Sequence, residues 1–202
     1  YIIWVAIADV AYYVRSETLL DKEALNRGNS TYFPDCVSPM LPENLSADLC
    51  SLHEGVDRYC IAVQIKINAD GEKLSHSFHR GLMRSAASLS YEQVQRAYDE
   101  KPHDVPDDIV QNIVKPIYAA YRALSFARDK RQPLHLDLPE RQIELDDAGQ
   151  VLSVKLKDRI DSKRLIEEFM VLANVAAAET LIAKKTSLLY RVHEEPAKEK
   201  ID

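Results

Sequence analysis

The first ten residues, Tyr1 to Val10, are almost continuously apolar and rich in β-branched and aromatic side chains, and this run limits the architecture more than any other feature of the chain. A strand with one wet face alternates apolar and polar residues, whereas an uninterrupted apolar run has to be covered on both faces. The run is therefore predicted to be a central strand with packed layers on either side. It begins in mid-pattern, with no methionine and no charged leader, so it does not read as a signal peptide and the natural chain is expected to continue upstream. The C-terminus is similarly abrupt.

The rest of the chain supplies the elements such a strand requires. Leu19, Leu20, Ala24 and Leu25 recur at helical spacing within Thr18 to Arg27, and Gly28 follows as the expected C-terminal cap. From Asn29 to Gly55, Pro34, Pro39 and Pro42 interrupt any regular element, which predicts a loop packed by its own apolar residues, a place where function concentrates. Tyr59 to Asn68 and Lys73 to Arg84 flank the turn signal Ala69-Asp70-Gly71 and read as a hairpin. Ser90 with Gln93 three residues later is a capping box opening a helix over Tyr91 to Glu100. A longer helix is expected over Asp107 to Arg131, with Ile109, Ile113, Ile117, Tyr121 and Leu124 as its buried stripe and Pro116 kinking it. Gln142 to Leu145 and Val151 to Leu156, joined by Asp146-Asp147-Ala148-Gly149, form a second hairpin, and Asp161 or Ser162 caps an alanine-rich helix running to about Lys184. Strands and helices intersperse without strict βαβ alternation, so the fold class is mixed α/β of the α+β kind, with a largely antiparallel sheet and packed helices. With 202 residues, one domain is the default.

Composition excludes several functions. No run is long enough to span a bilayer, so no membrane partner is expected. The three cysteines, Cys36, Cys50 and Cys60, are odd in number and lack paired spacing, which supports neither a disulfide framework nor a zinc site and fits a reducing cytoplasm. The chain has only five glycines and lacks a phosphate loop, a nucleophile elbow, an HExxH pair and a calcium loop, so nucleotide-triphosphate chemistry is not expected. The histidines, at 53, 76, 79, 103, 135 and 193, are scattered and receive no role. A net charge of −6 is the wrong sign for a protein that holds nucleic acid on a broad basic surface, although a narrow metal-dependent channel tolerates an acidic balance.

A series of motifs in fixed order narrows the reading. Val5-Ala6-Ile7-Ala8-Asp9-Val10-Ala11-Tyr12-Tyr13-Val14-Arg15, Leu20-Asp21-Lys22-Glu23-Ala24, Arg27-Gly28-Asn29-Ser30-Thr31-Tyr32-Phe33-Pro34, Pro39-Met40-Leu41-Pro42-Glu43-Asn44-Leu45-Ser46, Leu89-Ser90-Tyr91-Glu92-Gln93-Val94, Ile166-Glu167-Glu168-Phe169-Met170 and Leu189-Tyr190-Arg191-Val192-His193 together resemble the catalytic (RNB) domain of the ribonuclease II/ribonuclease R family, closer to its ribonuclease R branch. The likeness spans almost the whole chain and is weakest from Asp99 to Asp158. It implies that residues 1–202 are an internal part of one RNB-type catalytic domain, incomplete at both ends. The family's four-aspartate segment, which binds Mg²⁺, would lie upstream, and its arginine segment, which contacts the reacting phosphate, would lie downstream. The implied activity is 3′→5′ hydrolysis of single-stranded RNA to 5′-monophosphates, with Mg²⁺ as a cofactor bound outside this chain. A different class, a non-catalytic RNA-binding or regulatory protein that keeps the fold, stays open at this stage.

No catalytic residue and no metal ligand is assigned within the chain. The resemblance assigns three RNA-binding residues: Tyr32 stacks near the 3′-terminal nucleotide and sets the length of the final product, Tyr91 helps clamp the RNA, and Glu167 pairs with that clamp. An aromatic ring suits a sequence-tolerant enzyme because every base offers a π-face. Each has a plainer reading. Tyr32 could anchor the proline-rich loop in the core, Tyr91 could pack a helix start on the sheet, and Glu167 with Glu168 could be a solvated helix start. Asp9, at the end of a strand, is either linked to a metal or a hydrogen-bonding cap for the following loop, and Arg58 meets either a carboxylate or a phosphate.

Overall fold

The computed structural model describes residues 1–131, 141–146, 148–156, 159–190 and 192. Its main sheet has three antiparallel strands in the order β1 (Ile2–Ala8), β4 (Asp57–Ile67) and β5 (Lys73–Arg84). Two small hairpins stand apart from it, β2 (Thr31–Tyr32) with β3 (Val37–Ser38) and β6 (Arg141–Leu145) with β7 (Val151–Leu156). The helices are α1 (Val10–Tyr13), α2 (Leu19–Arg27), α3 (Tyr91–Tyr98), α4 (Asp107–Ile109), α5 (Lys115–Asp129) and α6 (Asp161–Ala183). The pairing is antiparallel in every hairpin and in the sheet, as the α+β reading expects. No helix among the described residues is long and apolar enough to cross a membrane.

The core lies on one face of the main sheet. Ile3 and Val5 of β1 face Ile65 and Val63 of β4, and Tyr118 and Leu124 of α5 with Leu165 and Phe169 of α6 close over them. Direct cross-strand partners point to the same side of a sheet, so this pairing puts all four apolar strand residues beneath the helices. The turn between β4 and β5 is drawn tight by Asn68, whose Oδ1 accepts from the backbone of Asp70 and Glu72, while Gly71 takes the left-handed φ of 80° that closes it.

Three local expectations are corrected. First, β1 is an edge strand of the described sheet and β4 is central. Among the described residues Ile2 and Trp4 are exposed, so α5 and α6 cover one face of the run and no described element covers the other.

Second, the stripe of the long helix is rotated. Residues Val110–Val114 form a wide π-helical turn between α4 and α5, which shifts the phase of everything on its N-terminal side relative to α5. Val110, Val114 and Tyr118 are buried together with Tyr121 and Leu124, while Ile113 is exposed. Pro116, at the start of α5, has no N–H to donate back into this turn, so widening just ahead of it removes a bond the proline could not have made.

Third, α6 is preceded by Ile160, with no side-chain cap. Ser162 lies buried inside the helix and turns instead to α3, its Oγ donating to the carbonyl of Tyr91 at 2.8 Å. By contrast, Thr18 and Gly28 cap α2 and Ser90 with Gln93 forms the capping box of α3. Of the sequence motifs, Asp147 in the second hairpin turn and Arg191 and His193 near the end lie outside the described residues.

Candidate nucleic-acid interface

Tyr32 sits on the β2–β3 hairpin, paired with Val37. The two-residue strands are held by bonds beyond their own ladder. The Phe33 N–H donates to the Cys36 carbonyl at 2.8 Å, the Met40 N–H donates to Ser30 Oγ at 2.9 Å, and Arg27 Nη1 donates to the Pro39 carbonyl at 3.0 Å. Leu45, in the π-helical turn Asn44–Leu49, is the buried anchor of the segment. On this frame Tyr32 is 78% exposed. It is not a core tyrosine, and with Ser30, Val37, Pro39, Glu43 and Ser46 it lines a cleft of about 460 Å³.

Tyr91 is the first residue of α3 and is 43% exposed. Its backbone is fixed by Ser162, and Gln95, one turn on, accepts from both the Ser162 N–H at 3.0 Å and the Tyr118 hydroxyl at 3.1 Å. α3, α5 and α6 are thus tied at one point beneath the Tyr91 ring. Lys163 of α6 places its ammonium 5.9 Å from the centre of that ring and 3.4 Å from Glu92.

Glu167 follows Lys163 by four residues on α6 and so shares its face. The structure separates the two adjacent glutamates. Glu168 turns inward to an ion pair with Arg128, whereas Glu167 is exposed and has no partner among the described residues. Tyr91, Lys163 and Glu167 therefore form one surface. No hydrogen bond, ion pair or ring contact among the described residues joins Tyr32 to that surface. Lys163 carried no sequence signal, because a lysine on an exposed helix start is ordinary.

Asp9 is 1% exposed. Its Oδ1 accepts from the Tyr12 N–H at 3.1 Å, capping α1, and its other oxygen pairs with Arg80 of β5. The capping role holds, joined by an arginine 71 residues away that no local pattern announces. Arg58 meets a carboxylate, that of Asp48, and the carbonyl of Ser51 at 3.1 Å. Burial, and after it the charge of Asp9, pushes the thiols of Cys50 and Cys60 up, so neither is a poised nucleophile. Among the described residues no group of three or more His, Cys, Asp or Glu is placed to hold a metal ion. Asp9, the one buried carboxylate among the described residues, and the half-buried Glu168 are each committed to an arginine, and Mg²⁺ does not fit these donors.

Comparison with known proteins identifies what this arrangement resembles. The family model described as "RNB domain" matches residues 1–202. The chain is 40% identical over 201 residues to Ribonuclease R of Vibrio cholerae, covering 98% of this chain and 24% of that protein. It is 37% identical over 201 residues to Ribonuclease R of Escherichia coli, covering 98% and 25%. The structure superposes on Mycoplasma genitalium RNase R in complex with ribose methylated single-stranded RNA with a TM-score of 0.93 at 32% identity, over 99% of this chain and 31% of that one. The chain thus spans about a quarter of the length of these curated relatives.

Proposed function

Because the chain belongs to the RNB domain family, we propose that the protein is a 3′→5′ exoribonuclease that hydrolyses single-stranded RNA to 5′-monophosphates. The observation that carries this reading is the match over residues 1–202, joined by relatives called Ribonuclease R at 37–40% identity. In this reading the chain is an internal part of one catalytic domain, with the aspartate cluster before it and the phosphate-contacting arginine after it. Mg²⁺ enters only as an ion held by residues outside this sequence, and no step is drawn through it. A reducing cytoplasm suits the three unpaired cysteines.

The chain's own residues supply binding and placement. The Tyr32 ring, held out from a tied-down hairpin, offers a stacking face to the last base whatever its identity, a contact worth about 1–3 kcal/mol. Tyr91 offers a second ring, with the Lys163 ammonium beside it to meet a phosphate. Glu167, with no partner among the described residues, is available to accept from a sugar hydroxyl or to hold the Tyr91 side of the clamp. The two surfaces lie on separate elements, as a strand of RNA running between them requires.

The test is degradation of a 5′-labelled single-stranded RNA by the full-length protein, with Mg²⁺ and then with EDTA, beside the 202-residue chain. A ladder that shortens from the 3′ end only with Mg²⁺ and only for the full-length protein is expected. Retained RNA binding with no cleavage would establish the non-catalytic, regulatory alternative instead.

A further inference from the structure

The sheet face that forms the core beneath α5 and α6 continues past the helices. Beyond Ile3 and Val5 the next residue of β1 on this face is Ile7, which pairs with Ile61 of β4, and Ile61 pairs with Arg80 of β5. Ile7 and Ile61 are exposed, and so is Leu82 two residues beyond Arg80. The Arg80 side chain starts on β5 and reaches Asp9 at the end of β1, so it crosses the central strand over this open apolar floor. Only its Nε is engaged, by the buried Asp9 carboxylate. The side chain is 57% exposed, and its two terminal nitrogens make no hydrogen bond among the described residues.

Aromatic rings stand at the same end of the sheet. Tyr12 stacks on Tyr59 with ring centres 3.8 Å apart, and Tyr13 meets both edge-on. Arg15 donates from Nε to the Tyr12 carbonyl at 3.0 Å and places its guanidinium 5.5 Å from the Tyr12 ring centre. Arg15 has no carboxylate partner among the described residues. Asp9, and then Tyr12, push the Arg80 guanidinium further up from its already high ordinary value. The two arginines are thus linked through Asp9 and Tyr12: one Asp9 oxygen takes Arg80 and the other the Tyr12 N–H, while the Tyr12 carbonyl takes Arg15. An arginine already tied at Nε loses little further freedom when its outer edge takes a second acceptor, and that planar edge matches a phosphate.

We propose that Arg80 and Arg15 form a phosphate subsite on this floor that takes backbone phosphates of bound single-stranded RNA, with Asp9 as the positioning residue that aims Arg80. This rests on the RNA-binding reading above and adds a contact separate from Tyr32, Tyr91 and Glu167. The competing role for Arg80 is only to neutralise Asp9.

Binding of fluorescent oligo(A) and oligo(U) to the full-length protein, in EDTA to stop cleavage and over a range of KCl, separates the two. The Asp9→Asn/Arg80→Gln protein exchanges the buried ion pair for a neutral hydrogen-bonded one. Its slope of log affinity against log salt is expected to fall by about 0.7 in magnitude, equally for both oligonucleotides, the signature of one lost single-strand phosphate contact. Arg15→Gln, at an exposed position, is expected to lower the slope by about the same amount. Arg80→Lys keeps the charge opposite Asp9 but loses the planar edge, so binding weakens several-fold while the slope stays.

A wild-type slope in Arg15→Gln or in the folded double variant overturns the subsite. If the double variant does not fold, unchanged affinity in Arg80→Lys overturns it. A wild-type protein that binds neither oligonucleotide overturns the exoribonuclease reading itself and the subsite with it.

Discussion

Tyr32 and Gly71 are constrained in opposite ways. Tyr32 presents most of its ring to solvent from a hairpin whose ends are tied by Ser30 and Arg27, so removing the ring takes away a surface without disturbing a core. Tyr32→Ala in the full-length protein is expected to shift the length of the limit product more than it slows the cutting, read on a sequencing gel. An unchanged limit product removes that role. Gly71 has no such latitude, since a β-carbon there would overlap the carbonyl of Ala123 on α5 and the φ is left-handed. Gly71→Ala is expected to cost about 2–3 kcal/mol, which lowers the thermal midpoint by roughly 5–10 °C for a domain of this size. A calorimetric scan measures it. The glycine of an Ala-Asp-Gly turn was legible in the sequence, but the helix pressed against it was not, because that contact joins segments 52 residues apart. The same limit hid Arg80 from Asp9. The aspartate's capping of Tyr12 is a three-residue relation and could be read locally, whereas its ion pair depends on strand register.

Elements whose signals are local were the ones read correctly. The capping box of α3 needs only Ser90 and Gln93, both bonds are present, and the helix starts at the expected residue. Ser90→Ala is expected to cost about 1 kcal/mol and to lower the thermal midpoint by about 2–4 °C. It also loosens the helix start that carries Tyr91, so the clamp surface is expected to exchange its amides faster than α5 does in hydrogen-exchange measurements. Uniform exchange across both helices would separate the cap from the clamp. Elements whose ends are fixed by neighbours were misread. Ser162 looks like a cap but is spent on the Tyr91 carbonyl, and the π-helical turn at Val110–Val114 is invisible to periodicity because Ile113 and Val114 are adjacent and equally apolar, so the pattern does not say which of the two is buried. In the candidate site, the family resemblance named Tyr32, Tyr91 and Glu167 as expectations, while Lys163 and the separation of Glu167 from Glu168 came only from the packing of α6 on α3 and α5.

At the scale of the whole molecule, apolar surface is left without a cover. Trp4 and Ile2 lie open on one side of β1, and Leu152, Val154 and Leu156 line β7 of a two-stranded hairpin. In that hairpin Ile143 pairs with Val154, which places apolar residues on one face, while Lys155 and Ser153 bond Glu144 on the other. A lone two-stranded hairpin is marginal in water and gains most of its stability by laying such a face on something. The chain spans about a quarter of the length of its curated relatives, and in the proposed reading as an internal part of one catalytic domain the cover for these surfaces is expected from residues outside it. Produced alone, the 202-residue chain is expected to bind a hydrophobic dye and to self-associate with rising concentration in light scattering, whereas the full-length protein does neither at the same molarity. Trp4→Lys together with Leu152→Lys should then reduce the association of the isolated chain without altering its helix content, since both side chains already face solvent. An isolated chain that stays monomeric and dye-free would mean that these faces are tolerated as they stand, and that the three-stranded sheet with its helices is a self-sufficient unit within the RNB fold.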